Sequence, residues 1–454
     1  MGAIPGTITT DQQPPMTIPL RHFLVGLCLL GGGVVSGLGL AVGAVPGLGT
    51  LAHVHLLLAG WICVTIMGAM TQFVPVWSGT SLYSPRLARA QLTLVVSGLL
   101  GFVAGLVLNA LVWLVPFGGL MLAGFWLFAY NIARTLATVE SYDVTERHFL
   151  LALGFFAVVP LLGLLLVVDF SWPVFANTPI DRPSVVAAHA TSAVFGVIIT
   201  TVYGALYQLG TMFTQTELHG IDEYLQSIEE VGHPVGVALL ALGRFVDWVV
   251  VARIGAILVV VAALAVGTIL ARKLSAMRVD WTPMHTRYAV AVPGLLGWAL
   301  LTAPAWIRNP TAPEHLFGAA GTAHLFVVGA IGFVVLGTLY HIIPFIVWVH
   351  RYSDRLGFED VPMIDDLYDD RLAATDATAL IAGTVILVVS ELGELSTIVQ
   401  GIGGSLVSFG LVVFGLNMVL VIRNHSPHPL GRILCGSLYP HNEQTASTER
   451  SINE

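Results

Sequence analysis

The chain has 454 residues, of which 56% are apolar and 10% are charged, and its formal net charge at pH 7 is −8. So apolar a composition excludes an ordinary soluble domain and indicates a polytopic membrane protein. The negative net charge argues against a nucleic-acid partner. The apolar composition makes the lipid bilayer the expected environment.

Hydrophobic stretches long enough to cross a bilayer follow one another along the chain. A crossing helix needs about 20 apolar residues. Eleven stretches meet this requirement, at residues 20–44, 52–77, 89–110, 112–135, 147–169, 184–212, 249–271, 286–306, 318–348, 374–395 and 399–422. A twelfth, weaker stretch near 231–247 follows an acidic segment, 217–230, which we assign to a loop.

Three of these stretches resemble one another. Aligned without gaps they read HVHLLLAGWICVTIMGAMTQFVP (53–75), HATSAVFGVIITTVYGALYQLGT (189–211) and TAHLFVVGAIGFVVLGTLYHIIP (322–344). The stretch before each one also opens alike, with RHFLVG, RHFLLA and RYAVAV. This pattern predicts one membrane domain, 1–454, built from three four-helix repeats at about 20–136, 147–271 and 286–422, with polar tails at 1–18 and 424–454.

The distribution of basic residues predicts the orientation. Counting the weak stretch as the seventh helix gives twelve spanning helices and puts most arginines on one side, which the positive-inside rule assigns to the cytoplasm. We therefore expect a multi-pass protein of the cell membrane with both termini in the cytoplasm. Helices two, six and ten, which carry the three aligned segments, then begin at the outer face.

Each aligned segment contains two glycines eight residues apart. Residues at this spacing lie about 80° apart around a helix, so they form one smooth strip that a neighbouring helix or a flat cofactor can approach. The pairs are Gly60 and Gly68, Gly196 and Gly204, and Gly329 and Gly337. Helix packing and cofactor contact are both open at Gly60, Gly68, Gly329 and Gly337.

Histidines mark the outer ends of the aligned helices. His55 and His324 occupy the same column, five residues before the first glycine, so they lie at matched depth. Two neutral imidazoles in this arrangement suit bis-histidine ligation of a haem iron. The alternative for each one is a hydrogen bond to a backbone carbonyl or a serine.

A second column, two residues earlier, holds His53 and His189. A two-residue step turns a helix by about 200°, so His53 and His55 cannot both face one bundle interior. We expect an interfacial hydrogen bond for His53. For His189, a polar role and a role as a metal ligand are both open.

Two arginines are candidates for binding the haem propionates. Arg308 and Arg182 lie on the outer side, each within one loop of a histidine-bearing helix. A guanidinium group is well shaped to pair with a carboxylate. An ordinary position at the membrane interface is the alternative for both.

The segments HLLLAGWICVTIMGAMTQFVPVWSG and HLFVVGAIGFVVLGTLYHIIPFIVW resemble the second and tenth helices of subunit I of the haem-copper oxidase superfamily, especially the cbb-type oxidases and nitric-oxide reductases. The resemblance implies an all-α fold of twelve transmembrane helices in three arcs with pseudo-threefold symmetry. It also implies that His55 and His324 match the two axial ligands of the low-spin haem.

The chain departs from that family at its reaction centre. The family's tenth helix has a histidine ligand for a high-spin haem where this sequence has Thr322, and its sixth helix has a copper-ligating histidine where this sequence has Thr191. His189 lies half a turn from that column, and no His-His pair follows helix seven. Threonine cannot replace imidazole in these roles, so we expect one low-spin haem b and no copper.

The leading hypothesis is therefore a membrane haem b protein that passes electrons or senses a redox ligand. A redox partner subunit or a small copper or haem protein would exchange electrons with it. The first alternative is a divergent oxygen or nitric-oxide reductase, or a haem-copper protein like the NnrS group linked to nitric-oxide stress. A second alternative is a transporter whose histidines only form hydrogen bonds.

Overall fold

The structure, a computed structural model, describes residues 13–436, and within this range it is helical and contains no β-strand. The outer parts of the expected polar tails, 1–12 and 437–454, lie outside the described residues. The helices are α1 Thr17–Ala41, α2 Gly49–Trp77, α3 Pro85–Val107, α4 Leu111–Leu136, α5 Val144–Ser171, α6 Arg182–Thr214, α7 Ile221–Phe245, α8 Val249–Ser275, α9 Pro283–Arg308, α10 Leu325–Arg351, α11 Asp370–Leu392, α12 Thr397–His425 and α13 Leu430–Cys435. Short 3₁₀ turns at Pro313–His315, Ser353–Arg355 and Ile364–Asp366 lie in the connecting loops.

Eleven of the described helices are long and apolar enough to cross a membrane. These are α1 to α6 and α8 to α12, and they coincide with the eleven stretches expected from the sequence. In a bilayer such helices satisfy their own backbone groups, which is why helices are favoured there. The chain is therefore an all-α polytopic membrane protein.

Helix α7 corrects the sequence reading of the acidic segment. We assigned 217–230 to a loop, but α7 begins at Ile221, so most of that segment is helical. Gly220 has a φ of +60°, which lets the chain turn sharply into the helix. Asp222 in the first turn faces α8, where it pairs with Arg272 at 2.7 Å and Lys273 at 2.8 Å. The charge of Asp222 is thus neutralised by basic side chains of a neighbouring helix and not by water.

Glycines allow close packing in three helix hairpins, α3–α4, α7–α8 and α11–α12. A side-chain carbon at Gly98 would lie 2.7 Å from the backbone nitrogen of Met121 on α4. One at Gly255 would lie 2.3 Å from the backbone nitrogen of Leu240, and one at Gly383 would lie 2.6 Å from that of Val407. Any side chain at these positions would force the two helix backbones apart.

The helices close into a ring. In chain order α1 packs on α2, α5 on α6 and α9 on α10, while α4 meets α5, α8 meets α9, and α12 returns to α1. Helices α2, α6 and α10 lie inside this ring. Together they line an apolar cavity of about 70 Å³, to which they contribute residues such as Met70, Leu206 and Leu339.

The glycine strips predicted on α2, α6 and α10 contact neighbouring helices. A side-chain carbon at Gly68 would lie 2.6 Å from Cβ of His22, and one at Gly204 would lie 2.5 Å from Cβ of His148. At Gly337 the nearest atom would be in the Tyr288 ring, at 3.0 Å. These glycines therefore admit α1, α5 and α9 at close range, while contact with a cofactor stays a prediction.

Each of the three inner helices also contains a π-helical segment. The segments are Leu56–Ile62 in α2, Ser192–Ile199 in α6 and Leu325–Gly332 in α10. They follow His55, Thr191 and His324 directly, so each begins at the same position of the aligned sequences. A π segment is a wide turn with i→i+5 bonding that is frequent at functional sites.

The α7–α8 contact gives a test of the fold. Replacing Gly255 with leucine should separate the two helices and cost about 1–3 kcal/mol of stability or more, because overpacking forces backbone shifts. Gly232 on α7 provides the matched control, since a side-chain carbon there would meet nothing within 4 Å. Thermal unfolding in detergent should show a lowered Tm for Gly255→Leu and a nearly unchanged one for Gly232→Leu. Equal Tm values would contradict the packing.

Candidate functional site

Four histidines lie near the N-terminal ends of α2, α6 and α10. His53 is close enough to His324 for their charges to interact, and His55 is close enough to His189 for the same effect. The sequence predicted a pair of His55 with His324. The structure brings all four histidines to helix interfaces, and the pairing of His55 with His324 stays a prediction.

His53 and His55 face different neighbours, as their two-residue spacing requires. Nδ1 of His53 donates a hydrogen bond of 2.9 Å to the carbonyl oxygen of Gly33 on α1. The His55 ring instead lies against α3, with its centroid 5.1 Å from that of Phe102. Helix α2 therefore presents one imidazole to each of two interfaces.

His189 on α6 makes the same kind of hydrogen bond as His53 on α2, to a backbone carbonyl of the preceding helix. Its Nδ1 donates a hydrogen bond of 3.0 Å to the carbonyl oxygen of Val159 on α5. A side-chain carbon at Gly163 would lie 3.1 Å from the imidazole. Val159 lies 126 residues after Gly33 (159 − 33), the same offset that separates the two RHFL openings (147 − 21). The two histidines thus occupy equivalent positions against equivalent helices.

The hydrogen bonds fix which ring nitrogen can bind a metal. A carbonyl oxygen only accepts, so the Nδ1 that contacts it must carry the proton, and the Nε2 of the neutral ring keeps a lone pair. This holds for three rings, His53 on Gly33, His189 on Val159 and His55 on the carbonyl oxygen of Leu51 at 2.8 Å. Within residues 13–436 no protein group bonds Nε2 of these rings or of His324.

His324 has a carboxylate partner. Its Nδ1 is hydrogen-bonded to Oε1 of Glu391, near the end of α11, and Oε2 of Glu391 is buried without a hydrogen-bond partner among the described residues. A carboxylate on the far nitrogen is the usual support of a metal-ligating histidine, since it fixes the ring and raises its basicity. Sequence reasoning missed this partner, because Glu391 lies 67 residues away on another helix.

The interface between α6 and α10 carries threonines in the equivalent columns and is filled by aromatic rings. Thr191 and Thr322 are fully buried there. Four buried rings pack side by side, those of Phe195, Trp298, Trp306 and Phe326. Trp298 and Phe326 stack at 4.1 Å between centroids. This interface has no room for a porphyrin while these rings occupy it.

Arg244 on α7 completes the filled interface. Its guanidinium group is 3% exposed and donates hydrogen bonds to Oγ1 of Thr191 at 2.7 Å and to the carbonyl oxygens of Pro310, His315 and Leu316 at 2.9–3.0 Å. It also lies 5.3 Å from the centroid of the Trp306 ring. Hydrogen bonds of a charged donor to four oxygens compensate for its burial.

The two arginines predicted near propionates lie in different surroundings. Arg182 begins α6, and its Nη1 donates to Asp169 and to the carbonyl oxygen of Leu166, both at 2.8 Å. Arg308 ends α9 and is exposed, two residues after Trp306 of the filled interface. The propionate contacts stay predictions, and Arg182 is the one that lies on a histidine-bearing helix.

A buried carboxylate cluster escaped the sequence reading. Glu229 of α7 is fully buried, with Nε2 of His148 at 3.1 Å and the Tyr207 hydroxyl donating to it at 2.8 Å. We missed it because the segment was assigned to a loop. The sequence held two hints of this cluster. His148 follows Arg147 in the aligned openings, and Tyr207 lies in the second half of α6.

An equivalent cluster lies around Asp376 of α11. Arg287 of α9 forms a fully buried ion pair with it, and the Tyr340 hydroxyl of α10 donates to its other oxygen. Tyr340 and Tyr207 occupy the same column of the aligned segments. Asp376 lies in the second turn of α11 and is fully buried between helices.

Comparison with known proteins gives no match: no protein-family model matches the chain, and no curated protein matches it significantly. A search of residues 13–436 for three or more converging His, Cys, Asp or Glu side chains that could hold a metal ion finds none. The functional argument therefore depends on the two histidine pairs.

The filled interface gives the second test. Arg244→Met keeps a long apolar stem but leaves three oxygen acceptors without a donor, since the His315 oxygen keeps Nε1 of Trp306 at 2.7 Å. Each such acceptor costs about 1–3 kcal/mol when buried. We expect a total loss of at least about 3 kcal/mol. Arg253→Met is the control, because Arg253 makes a single bond, to the carbonyl oxygen of Arg308 at 3.2 Å. Similar unfolding temperatures for the two variants would contradict a structural role of Arg244.

Proposed function

We propose that this protein is a membrane haem b protein that transfers electrons through a bis-histidine haem, with a fold of three four-helix repeats around a pseudo-threefold axis. Three observations support the repeats: the ring of helix contacts closed by α12 on α1, the shared cavity between α2, α6 and α10, and the π segments at one aligned position. In this arrangement α7 is the third helix of the second repeat.

The observation that carries the haem proposal is the state of the imidazoles. Each has its Nδ1 committed to an oxygen and its Nε2 free, and each lies beside a second imidazole across a helix interface. That is the donor set of a six-coordinate haem. His148, by contrast, uses both nitrogens, with Val144 and Glu229.

His324 is the ligand on which sequence and geometry agree. For the opposite face of the haem the alignment favours His55, whereas proximity favours His53. We infer that His53 is the second ligand, because it faces α1, and α1 packs on α12 at the boundary between the first and third repeats. A haem bound there would supply reversible one-electron chemistry.

Glu391 would tune this centre. A carboxylate that accepts the Nδ1–H of His324 increases electron donation from Nε2 and so favours the oxidised state. His53 donates to a neutral carbonyl, so the two ligands would differ in basicity. The neighbouring helices exclude water, which strengthens these electrostatic effects.

The rival functions lack comparable support. An oxygen or nitric-oxide reductase, including one of the NnrS kind, needs an open iron and a second metal. The interface where the resembled family has them carries Thr191, Thr322 and the aromatic rings instead. A transporter without a cofactor would not account for the carboxylate that supports His324. We therefore propose electron transfer or redox sensing, with a partner subunit or a small redox protein as donor or acceptor.

The ligand assignment is tested by single substitutions. His324→Ala and His53→Ala should each remove the same haem, seen as equal falls in the haem-to-protein ratio and in the reduced absorption bands. Any five-coordinate haem retained by His53→Ala should bind carbon monoxide, whereas the wild-type haem should ignore it, because both of its axial positions hold imidazole. Exposed His350, which makes an ordinary bond to the carbonyl oxygen of Ile346, is the control.

Two outcomes would change the assignment. Full haem content in His324→Ala would overturn the proposal. Loss of one and the same haem in His324→Ala and His55→Ala, with His53→Ala unaffected, would restore the ligand pair of the alignment.

Glu391→Gln tests the tuning. The amide can still accept a hydrogen bond but carries no charge, so the midpoint potential should rise and haem affinity should fall by about 10–100-fold. Redox titration followed by optical spectroscopy measures the potential, and titration of the haem-free protein with haem measures the affinity. Glu394→Gln, three residues further and in an exposed position, is the matched control. An unchanged potential in Glu391→Gln would show that the carboxylate does not act on the haem.

A further inference from the structure

We propose a second haem site, in which His55 and His189 hold a second tetrapyrrole iron at the interface between the first and second repeats. This inference rests on the proposed function, because it extends the same ligand chemistry to another interface. It departs from the expectation of a single haem and from the arrangement that the family resemblance implies.

The arrangement of the two columns leads to this inference. The first column holds His53, His189 and Thr322, and the second holds His55, Thr191 and His324. Each interface between repeats combines a first-column residue with a second-column residue from another repeat. The combinations are His53 with His324, His189 with His55, and Thr322 with Thr191. Two interfaces thus carry a histidine pair, and the third carries a threonine pair.

The ligand chemistry is the same at both histidine pairs. His189 and His55 each donate Nδ1–H to a backbone carbonyl oxygen, that of Val159 at 3.0 Å and that of Leu51 at 2.8 Å. Their Nε2 lone pairs are therefore available. Both side chains are half-buried, whereas Thr191 and Thr322 are fully buried.

A cation is positioned for the carboxylates of a tetrapyrrole. Arg182 lies seven residues before His189, which puts both on one face of α6 about two turns apart. Its two hydrogen bonds both use Nη1, so the donors on Nη2 are left to reach an anionic group. The guanidinium side chain is 31% exposed, as such access requires.

The experiment counts haems per chain and assigns them. Purified wild-type protein should contain two haems per chain, measured as the pyridine haemochrome, and should titrate with two midpoint potentials. His55→Ala, His189→Ala and the double variant should each contain one haem, with the component assigned to His53 and His324 retained. His350→Ala should keep two.

A second pair of variants separates ligation from folding. His189→Met and His55→Met should retain two haems, because a thioether can replace one imidazole, but one potential should rise. Two unchanged potentials in these variants would overturn the second site. So would one haem per chain in the wild type that depends on His53 and His324 alone.

The failure of the proposed function has a different signature. If no haem is bound, or if haem content is the same in His53→Ala, His324→Ala and the wild type, the electron-transfer proposal fails. If a single haem is lost in His55→Ala and His189→Ala but kept in His53→Ala and His324→Ala, the second site stands and the first is overturned.

Discussion

The absence of water in the hydrocarbon core is the constraint from which the arrangement of this protein follows. A polar side chain there must find its partner within the protein. Each of the four outer histidines satisfies this need with one nitrogen, by donating Nδ1–H to an oxygen of the protein. The second nitrogen is then left as a lone pair without a protein partner, which is the state that the proposed ligation requires.

The three interfaces between repeats share one backbone arrangement but carry different side chains. Where the columns carry histidine, the neighbouring helix offers glycine or a carbonyl, as Gly37 and Val159 do. Where they carry threonine, Arg244 and the four aromatic rings fill the space and hold the loop after α9. A filled interface contributes stability through burial and hydrogen bonds. The filled interface would then help to support the fold independently of any cofactor.

Hydrophobic length was enough to predict the eleven apolar helices, because burial in a bilayer depends on composition more than on tertiary contacts. The α7 helix was misread because its acidic residues are neutralised by partners on another helix, such as Arg272 and Lys273 for Asp222. The same limitation hid Glu229. Alignment of the columns identified all four histidines, but the partner of each depends on which helices meet across the ring. Spacing along one helix gives the direction of a side chain and not the identity of the neighbour in that direction.

Because of the π segments, the α-helical period of 3.6 residues gives the wrong directions for the side chains that follow each segment's start. In an α-helix, residues five apart differ by about 140°, so His55 and Gly60 would face different directions. With i→i+5 bonding, a residue five positions later returns close to the same face. The contacts agree: His55 lies against Phe102 and Gly60 against Leu99, both on α3. His324 likewise meets Glu391, and Gly329 faces Thr384 one heptad earlier on α11. The wide turn thus aligns each histidine with the first glycine of its strip, so the imidazole and the small residues that let a flat ring approach can serve a single interface.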